Sequence, residues 1–469
     1  MPYPPGSAPI IEALQQLAQT EVAALHMPGH KRRSGSLLEN WLGRAALASD
    51  QTEVRPLDSL HAPDGPIAEA EALTARLYGV RATYFTTNGS SAGLIASLLA
   101  CTQPGDQVLL PRNVHKSLVS GLVLGDLLPR FLPVPEHAGI QISVSESAVR
   151  QSLTPETQAV VLVHPTYEGV TLDLTPLTAA CRAAGSTVIV DEAHGAHLHF
   201  HPSLPPSAVT SQADLVVQSA HKTLSALTGA AWIHRLSADM ADEAVRSRLN
   251  LLQSTSPSWL LLGSLDLARL EMETAGFRLL GQAIARAQQL AADIEANTGF
   301  VVWQPPAAAG LRQDPLKICL LTGPMGYIGW KVADHLANKG IHVEMAKYNS
   351  ILLMLTVGDA EADHTPLVKA LQELPQQRPL PEPPAQPPIP PLILRPRQAY
   401  LAPTRWMAAR EAQGKVAARP VYAYPPGIPL VHPGELITAE LLEYAETIER
   451  IGGHLNGLQQ QTWAIVDDR

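Results

Sequence analysis

The sequence predicts an α/β protein with a mostly parallel sheet, followed by a smaller α+β domain. Three apolar runs, at 108–110, 159–163 and 215–217, have the length and composition of strands that are buried on both faces. Apolar residues recur at helical spacing between such runs, and this alternation of strand and helix is typical of a parallel sheet. After residue 300 the order becomes strand, helix, strand, strand, helix, which indicates an α+β domain.

The N-terminal segment is predicted to form a helix and then a fixed turn. Residues 9–24 carry apolar side chains at helical spacing. The residues that follow, Pro28-Gly29-His30-Lys31, cannot continue a helix, since proline and glycine favour a turn. In isolation His30 and Lys31 are most simply interpreted as solvated loop residues.

A helix N-terminus is predicted after the strand at 84–86. Asn88-Gly89 forms a tight turn, and the helical pattern that begins at Ala92 places Ser90 and Ser91 at the helix start. Free N–H groups and the helix dipole favour a phosphate there. The same two serines would also serve as ordinary helix caps.

Two further strands each end in a side chain that can take part in chemistry. His115 follows the strand at 108–110, at the edge where open α/β sheets bind ligands, although a lone histidine there is more often structural. Asp191 ends the strand that begins near residue 187. A carboxylate at that position can pair with the protonated nitrogen of a cofactor that contains a pyridine ring. Ala193 would then pack against that ring.

Four histidines alternate closely after Asp191, at positions 194, 197, 199 and 201. Such a cluster raises the alternative of a metal site. No cysteine joins the cluster, and a ligand-binding strand end explains His194 better, so we expect no metal.

The stretch from Asp214 to Trp232 places one amine among small hydroxyls and an imidazole. The strand at 215–217 leads into a loop with Ser219, His221 and Lys222. Desolvation lowers the pKa of such a lysine and its neighbours can hold an anion, a combination that suits covalent attachment of pyridoxal phosphate (PLP). Because 31 residues and an intervening strand separate Asp191 from Lys222, a further unit of a parallel sheet would bring both to one edge.

We expect three regions: an N-terminal arm at 1–50, a large PLP-binding domain at 51–299 and a small C-terminal domain at 300–469. The long helical pattern before the last region ends at Gly299, a helix stop. The proline-rich segment at 375–391 is predicted to be an extended connector or exposed loop, with an SH3-type ligand as the less favoured alternative.

Composition limits the class of protein. The 469 residues suffice for two or more domains, and a net charge of −9 without a basic stripe argues against nucleic acid as the main partner. No apolar run reaches the roughly 18 residues of a membrane span, and the start lacks a signal-peptide pattern, so we expect a cytoplasmic protein. Buried free thiols are expected for the three cysteines, Cys101, Cys181 and Cys319.

These segments resemble the Orn/Lys/Arg decarboxylase family (major-domain type), PLP-dependent enzymes of the aspartate-aminotransferase-like fold, fold type I. The chain looks like the short form without the N-terminal wing domain of the long inducible members. The lysine-attachment signature matches at Val217, Ser219, His221, Lys222, Ser225, Ala226, Thr228, Ala230 and Ala231. The family's RNxHKS motif matches at Arg112, Asn113, His115, Lys116 and Ser117. Further likeness lies in PGHK at 28–31 and in the tail at 419–435.

The resemblance implies roles for individual residues. Lys222 would bind PLP, Ser90 and Ser91 would hold its phosphate, His115 would stack on its ring, and His194 would lie near the substrate. Ser219 and His221 complete the expected cofactor set. Either Lys222 or His221 would return a proton to Cα.

The reaction implied is decarboxylation of a basic amino acid in a homodimer or higher homo-oligomer. Arginine to agmatine is favoured, with lysine to cadaverine and ornithine to putrescine next. The resemblance also places the arm around His30 and Lys31 near the active site, and Glu435 at the substrate entrance.

Two alternatives remain open at this point. Another fold type I PLP enzyme, an aminotransferase or aldolase, would need a carboxylate-binding arginine near the tail, and Arg405 or Arg419 could supply it. A catalytically degenerate homologue could instead act as a binding protein. The second alternative gains some support from Gly229, where the family usually has glutamine.

Overall fold

The computed structural model describes residues 7–307, 310–424 and 428–467. The chain forms two compact units, each built from two segments. The first contains the described residues up to Ala100 together with Ile189–Gly281, and the second contains Cys101–Val188 and the described residues from Gln282 onward. The predicted domain boundaries near residues 50 and 299 stay predictions.

The strands are short and occur throughout the chain. In chain order they are β1 (Ala82–Thr86), β2 (Gln107–Pro111), β3 (Leu128–Leu132), β4 (Glu136–His137), β5 (Ile140–Gln141), β6 (Thr157–Val163), β7 (Val170–Thr171), β8 (Thr187–Asp191), β9 (Leu215–Gln218), β10 (Ala231–Arg235), β11 (Val301–Val302), β12 (Arg312–Gln313), β13 (Lys317–Leu321), β14 (Met345–Ala346), β15 (Ser350–Met354), β16 (Thr404–Ala408), β17 (Val421–Tyr424), β18 (Ile428–Val431), β19 (His454–Asn456) and β20 (Thr462–Val466).

The helices alternate with the strands, as the sequence pattern predicted. They are α1 (Pro9–Thr20), α2 (Leu37–Leu42), α3 (Arg44–Ser49), α4 (Pro66–Tyr78), α5 (Gly89–Cys101), α6 (Lys116–Gly125), α7 (Glu146–Ser152), α8 (Thr175–Ala183), α9 (Ala220–Thr223), α10 (Asp242–Asn250), α11 (Trp259–Thr298), α12 (Gly329–Ala337), α13 (Thr365–Gln372), α14 (Pro396–Leu401), α15 (Ala409–Ala412) and α16 (Ala439–Arg450).

In the first unit the strands follow the order β1-β10-β9-β8. β1 and β9 both run antiparallel to β10, whereas β8 and β9 are parallel, with Asp191 opposite Val217. Val217 is fully buried, which confirms that the apolar run at 215–217 is an interior strand, and Ile233 of β10 is buried beside it. The parallel pair carries the residues that follow β8 and β9 to the same edge of the sheet.

In the second unit β6, β2 and β3 are parallel neighbours, with Leu109 opposite Val160 and Arg130. A separate four-stranded antiparallel sheet has the order β11-β13-β15-β14. The C-terminal part adds the pair β16-β20 and the three strands β18-β17-β19. The mostly parallel large sheet and the smaller α+β elements confirm the predicted fold class.

Two details differ from the sequence prediction. The apolar pattern at 259–297 predicts two successive helices, whereas the structure has one helix, α11, which ends directly before Gly299 at φ +75°. The sequence also predicts a strand at 341–345, and of these residues only Met345 belongs to a strand, β14. In the turn after α12, Gly340 has φ +77° and the Ile341 N–H donates to Leu336 O, so Ile341 caps the helix instead of joining a ladder.

The segment 375–391 contains neither helix nor strand, and the N–H groups of Gln377 and Leu380 donate to Met325 O and Gly323 O. All three cysteines are buried thiols and none forms a disulfide. Across the described ranges, no helix has both the length and the apolar character of a membrane span.

Candidate active site

Lys222 lies on the one-turn helix α9, directly after the fully buried strand β9. Its ammonium is half-buried and donates to His194 Nε2 at 3.0 Å. His194 follows the parallel strand β8 and is only 8% exposed. Lys222 and His194, which follow the neighbouring parallel strands β9 and β8, therefore meet at one edge of the sheet.

Asp191 is the last residue of β8 and is 6% exposed. Burial raises the pKa of its carboxyl, while the Lys222 charge and the Ala193 N–H lower it. Oδ1 accepts the hydrogen bond from Ala193 N at 3.2 Å. Within the described part of the chain no other hydrogen bond reaches this carboxylate, so Oδ2 is available to accept an N–H from a bound group.

Ser90 and Ser219 come together at the start of α5. The Ser219 hydroxyl donates to Ser90 Oγ at 2.8 Å, and both side chains are buried. Ser91 follows in the same first turn and is half-buried. A 13-residue helix leaves free N–H groups at this end, so hydroxyls and amides together suit a phosphate.

Gly93 holds α5 close to the sheet. A Cβ atom at this position would lie 2.9 Å from Val217 Cγ1 and 3.0 Å from Ile233 Cγ1, so only glycine allows this approach. The helix start is thereby fixed against β9 and β10, next to the Lys222 loop.

Gly229, where the family usually has glutamine, adopts a backbone conformation that favours glycine. Its φ is +98°, a conformation that residues with a Cβ rarely adopt. In this conformation its carbonyl accepts the Gly89 N–H at 2.8 Å. The glycine therefore stabilises the turn that precedes Ser90.

His221 is half-buried, and its Nδ1 donates to Ala230 O at 2.9 Å. Desolvation lowers its pKa, the Ala230 carbonyl raises it, and Lys222 lowers it. The ring is therefore neutral near pH 7, with the proton on Nδ1 and a basic Nε2.

A buried polar network behind the strand edge was missed by the sequence reasoning. Glu192 is fully buried and accepts from Ser207 Oγ at 2.9 Å, Ala208 N at 2.6 Å and Gln218 Nε2 at 2.7 Å. Burial raises its pKa to about 8, and the three hydrogen bonds lower it. The network ties the ends of β8 and β9 together.

The network continues to β1 through His234. Its Nε2 donates to Gln218 Oε1 at 3.0 Å, and its Nδ1 accepts from Thr83 Oγ1 at 2.9 Å. Desolvation lowers the pKa of His234 to about 3, so the ring is neutral. Polar residues inside otherwise apolar strands are the sequence signal that could have found this network.

His115 belongs to the second unit and precedes α6. Its Nδ1 accepts from the Ser117 N–H at 3.2 Å and from the Ser117 hydroxyl at 2.9 Å. These bonds orient the ring, most of which is exposed. Its stacking on the cofactor stays a prediction.

Two motif residues of the second unit form a buried ion pair. Arg112 contacts both Glu435 oxygens, at 2.5 and 2.8 Å, and also donates to Leu430 O at 2.7 Å. Glu435 is 1% exposed and accepts a further hydrogen bond from the His432 N–H. Glu435 is therefore buried in this pair, and its place at a substrate entrance stays a prediction. Residues 425–427 of the same motif lie outside the described part.

The arginines that the aminotransferase alternative requires are engaged elsewhere. Arg405 pairs with Asp467 at 3.0 Å, and Arg419 stacks over Tyr400 and donates to its carbonyl.

In the N-terminal arm, His30 forms a hydrogen bond with Asp50 at 3.0 Å, and the turn predicted at 28–31 is confirmed.

The side chains of the histidines that follow His194 have different neighbours. The rings of His199 and His201 stack on Tyr78 and Phe277, at 5.3 and 4.8 Å, and His197 is buried. Within the described ranges no group of three or more His, Cys, Asp or Glu side chains is arranged to hold a metal ion.

The donor set fits PLP. An amine, a buried carboxylate with an open acceptor oxygen, and hydroxyls at a helix N-terminus are the groups that bind its aldehyde, pyridine nitrogen and phosphate. Lys222, Asp191 and the pair Ser90 and Ser219 supply them within the first unit.

Comparisons with known proteins agree with this assignment. The family described as Orn/Lys/Arg decarboxylase, major domain, matches residues 8–363, and the C-terminal domain of the same family matches residues 390–467. An arginine decarboxylase of Bacillus subtilis is 34% identical over 93% of this chain and 92% of its own length. An arginine decarboxylase of Bacillus anthracis is 33% identical over 97% and 95%. The constitutive lysine decarboxylase of Escherichia coli is 24% identical over 99% and 80%.

Solved structures show the same fold. The lysine decarboxylase of Francisella novicida superposes with a TM-score of 0.86 at 20% identity, over 98% of this chain and 81% of that chain. A structure of SPT with PLP gives a TM-score of 0.52 at 17% identity, over 66% and 76%. The likeness to an SPT structure that contains PLP agrees with fold type I.

Proposed function

Because the chain belongs to the Orn/Lys/Arg decarboxylase family, we propose that it removes the α-carboxyl group of arginine with PLP as cofactor. The observation that carries the proposal is the contact between Lys222 Nζ and His194 Nε2, beside the buried carboxylate of Asp191. Agmatine and carbon dioxide are the products.

The choice of arginine is supported by the curated relatives. Two that are named arginine decarboxylases are 34% and 33% identical over more than nine-tenths of this chain, whereas the lysine decarboxylase reaches 24%. Lysine is therefore the next substrate to consider, and ornithine follows.

PLP, when bound, supplies an electron sink for the electron pair left at Cα as carbon dioxide departs. Lys222 would hold its aldehyde carbon. Asp191 Oδ2 would accept a hydrogen bond from its pyridine nitrogen, and the buried negative charge keeps that nitrogen protonated. Ser90 and Ser219 would hold its phosphate.

The protein also supplies the proton that Cα takes up. Lys222 Nζ and His194 Nε2 lie 3.0 Å apart, within hydrogen-bond distance, so either atom could hold the proton for delivery. The basic Nε2 of His221 gives a second place to hold a proton, since its Nδ1 is fixed on Ala230 O.

A panel of arginine, lysine and ornithine tests the proposal, with detection of agmatine, cadaverine and putrescine. We expect agmatine to form fastest. Lys222→Ala should abolish product and the visible absorption of bound cofactor, while Lys369→Ala, on an exposed face of α13, changes neither. Cofactor binding without any amine product would contradict the decarboxylase assignment and favour a binding protein. Formation of a keto acid would favour an aminotransferase.

We further propose a cytoplasmic homodimer. The proposal is supported by large apolar side chains that the first unit exposes in its N-terminal arm, among them Leu25 at 94% and Trp41 at 79%. Light scattering should give twice the chain mass, and Leu25→Asp with Trp41→Asp should give one chain mass. Leu401→Asp, at an exposed leucine of the other unit, is the matched control. A wild-type monomer would contradict the dimer.

A further inference from the structure

A cavity of about 440 Å³ lies within the second unit. Prolines of the segment 375–391 form one wall, and the rings of Trp330, Tyr348 and Tyr444 form others. Polar lining comes from Glu136, Gln141, Gln386, Asn349, Lys347 and Arg112. The volume and the mainly apolar wall with few polar groups are typical of a small-molecule site. The residues assigned to PLP take no part in it.

Of the charged side chains that line the cavity, Glu136 differs from the others because it forms no ion pair in the described part of the chain. Arg112 is held by both oxygens of Glu435, and Lys347 forms an ion pair with the buried Glu168. Glu136 forms no ion pair in the described part of the chain; its Oε1 accepts from the Gln386 amide at 2.5 Å. The lining with its paired partners thus carries one net negative charge.

Glu136 lines the cavity but is exposed at β4, so its carboxylate is only partly desolvated. Desolvation raises the pKa of its carboxyl, whereas Lys347, Gln386 and Gln141 lower it. The Tyr444 hydroxyl, whose pKa desolvation and the Glu136 charge raise to about 12, is neutral. A ligand that brings a positive charge would stabilise the ionised carboxylate.

We propose that this cavity binds an organic cation of the alkyl ammonium or alkyl guanidinium class. The cationic head would donate a hydrogen bond to the carboxylate of Glu136. Such a charge-assisted hydrogen bond is stronger than a neutral one. The aromatic rings attract cations through their faces, and the proline wall covers methylene groups. The proline-rich segment is then one wall of a binding site and not only a connector.

The inference goes beyond the proposed reaction and does not depend on turnover. Agmatine and putrescine have the required chemistry and serve as probes, one with a guanidinium head and one with ammonium heads alone. Glutarate, an anion of similar length, is the negative probe.

Equilibrium dialysis of the holoenzyme against each probe counts the molecules bound per chain. We expect Glu136→Gln to lose one agmatine per chain, or to weaken that site at least tenfold. Glu443→Gln removes an exposed charge from α16 next to Tyr444, outside the cavity lining, and should bind as the wild type does. Val134→Trp, which fills the cavity from another side, should lose the same molecule.

The same loss with putrescine extends the site to alkyl ammonium ions, and retention of putrescine binding restricts it to guanidinium ions. Unchanged agmatine binding in both variants, or binding of glutarate at the site, would overturn the proposal. Decarboxylation does not enter this count, so a chain that releases no carbon dioxide can still show the site. Conversely, a chain that decarboxylates its substrate normally can lack the cation-binding cavity.

Discussion

Two pairs of acidic and basic residues, one in each unit, have opposite characters. Arg112 and Glu435 satisfy each other, since both carboxylate oxygens and two guanidinium nitrogens are used and backbone groups take up more of the capacity. Asp191 lies near Lys222 but keeps one oxygen without a hydrogen bond in the described chain. A pair that is fully satisfied stabilises the fold, whereas a pair with open acceptors can bind a ligand.

The comparison first predicts a large loss of stability for Glu435→Ala. Removal of one partner leaves a buried guanidinium charge, so the free energy of unfolding should fall by about 3 to 5 kcal/mol. Urea denaturation measures it. The double variant Arg112→Met with Glu435→Leu should recover most of the loss, because neither charge is then buried. A small effect of the single change would show that the pair is not structural.

Asp191→Asn should act on activity instead. The amide cannot supply the negative charge that keeps the pyridine nitrogen protonated, so kcat should fall on the order of 100-fold, about 2.7 kcal/mol. The free energy of unfolding of the apoenzyme should stay equal or rise, because burial disfavours the charge that is removed. Full activity with a loss of stability would reverse the roles of the two pairs.

The network behind the site predicts a dependence on pH. The pKa of Glu192 is raised from 4.5 to about 8 in the fold, so the folded chain holds a proton there that the unfolded chain releases above pH 4.5. Stability from this group is therefore complete below pH 4.5 and is lost as the pH rises to 8, by up to about 1.4 kcal/mol for each pH unit.

Urea midpoints across this window measure the effect. Glu192→Gln removes the titrating group, so the difference between wild type and variant should change with pH in this direction. Glu243→Gln, on the exposed start of α10, is the control. A difference that is constant with pH would show that Glu192 does not titrate in this range.

The sequence predicted those parts of the site that depend on local pattern. The apolar runs predicted the strands. Asp191, His194 and Lys222 were predicted as site residues because they lie at or soon after the ends of strands. The role of Glu192 was not predicted, because its partners Ser207 and Gln218 come from segments 15 and 26 residues away. The Arg112 and Glu435 pair joins positions 323 residues apart, and no local pattern predicts such a contact.

Gly229 gives the smallest and most local prediction. Its φ of +98° disfavours any residue with a Cβ, yet a Cβ would lie 3.5 Å from Thr87 O, which is ordinary contact. The cost of Gly229→Gln is therefore backbone strain, about 1 to 2 kcal/mol in the free energy of unfolding. Gly229→Ala should cost the same, because the strain does not depend on the rest of the side chain. If the glutamine variant were as stable as wild type while alanine was not, the side chain would find a partner, and the turn before Ser90 would tolerate the family's usual residue.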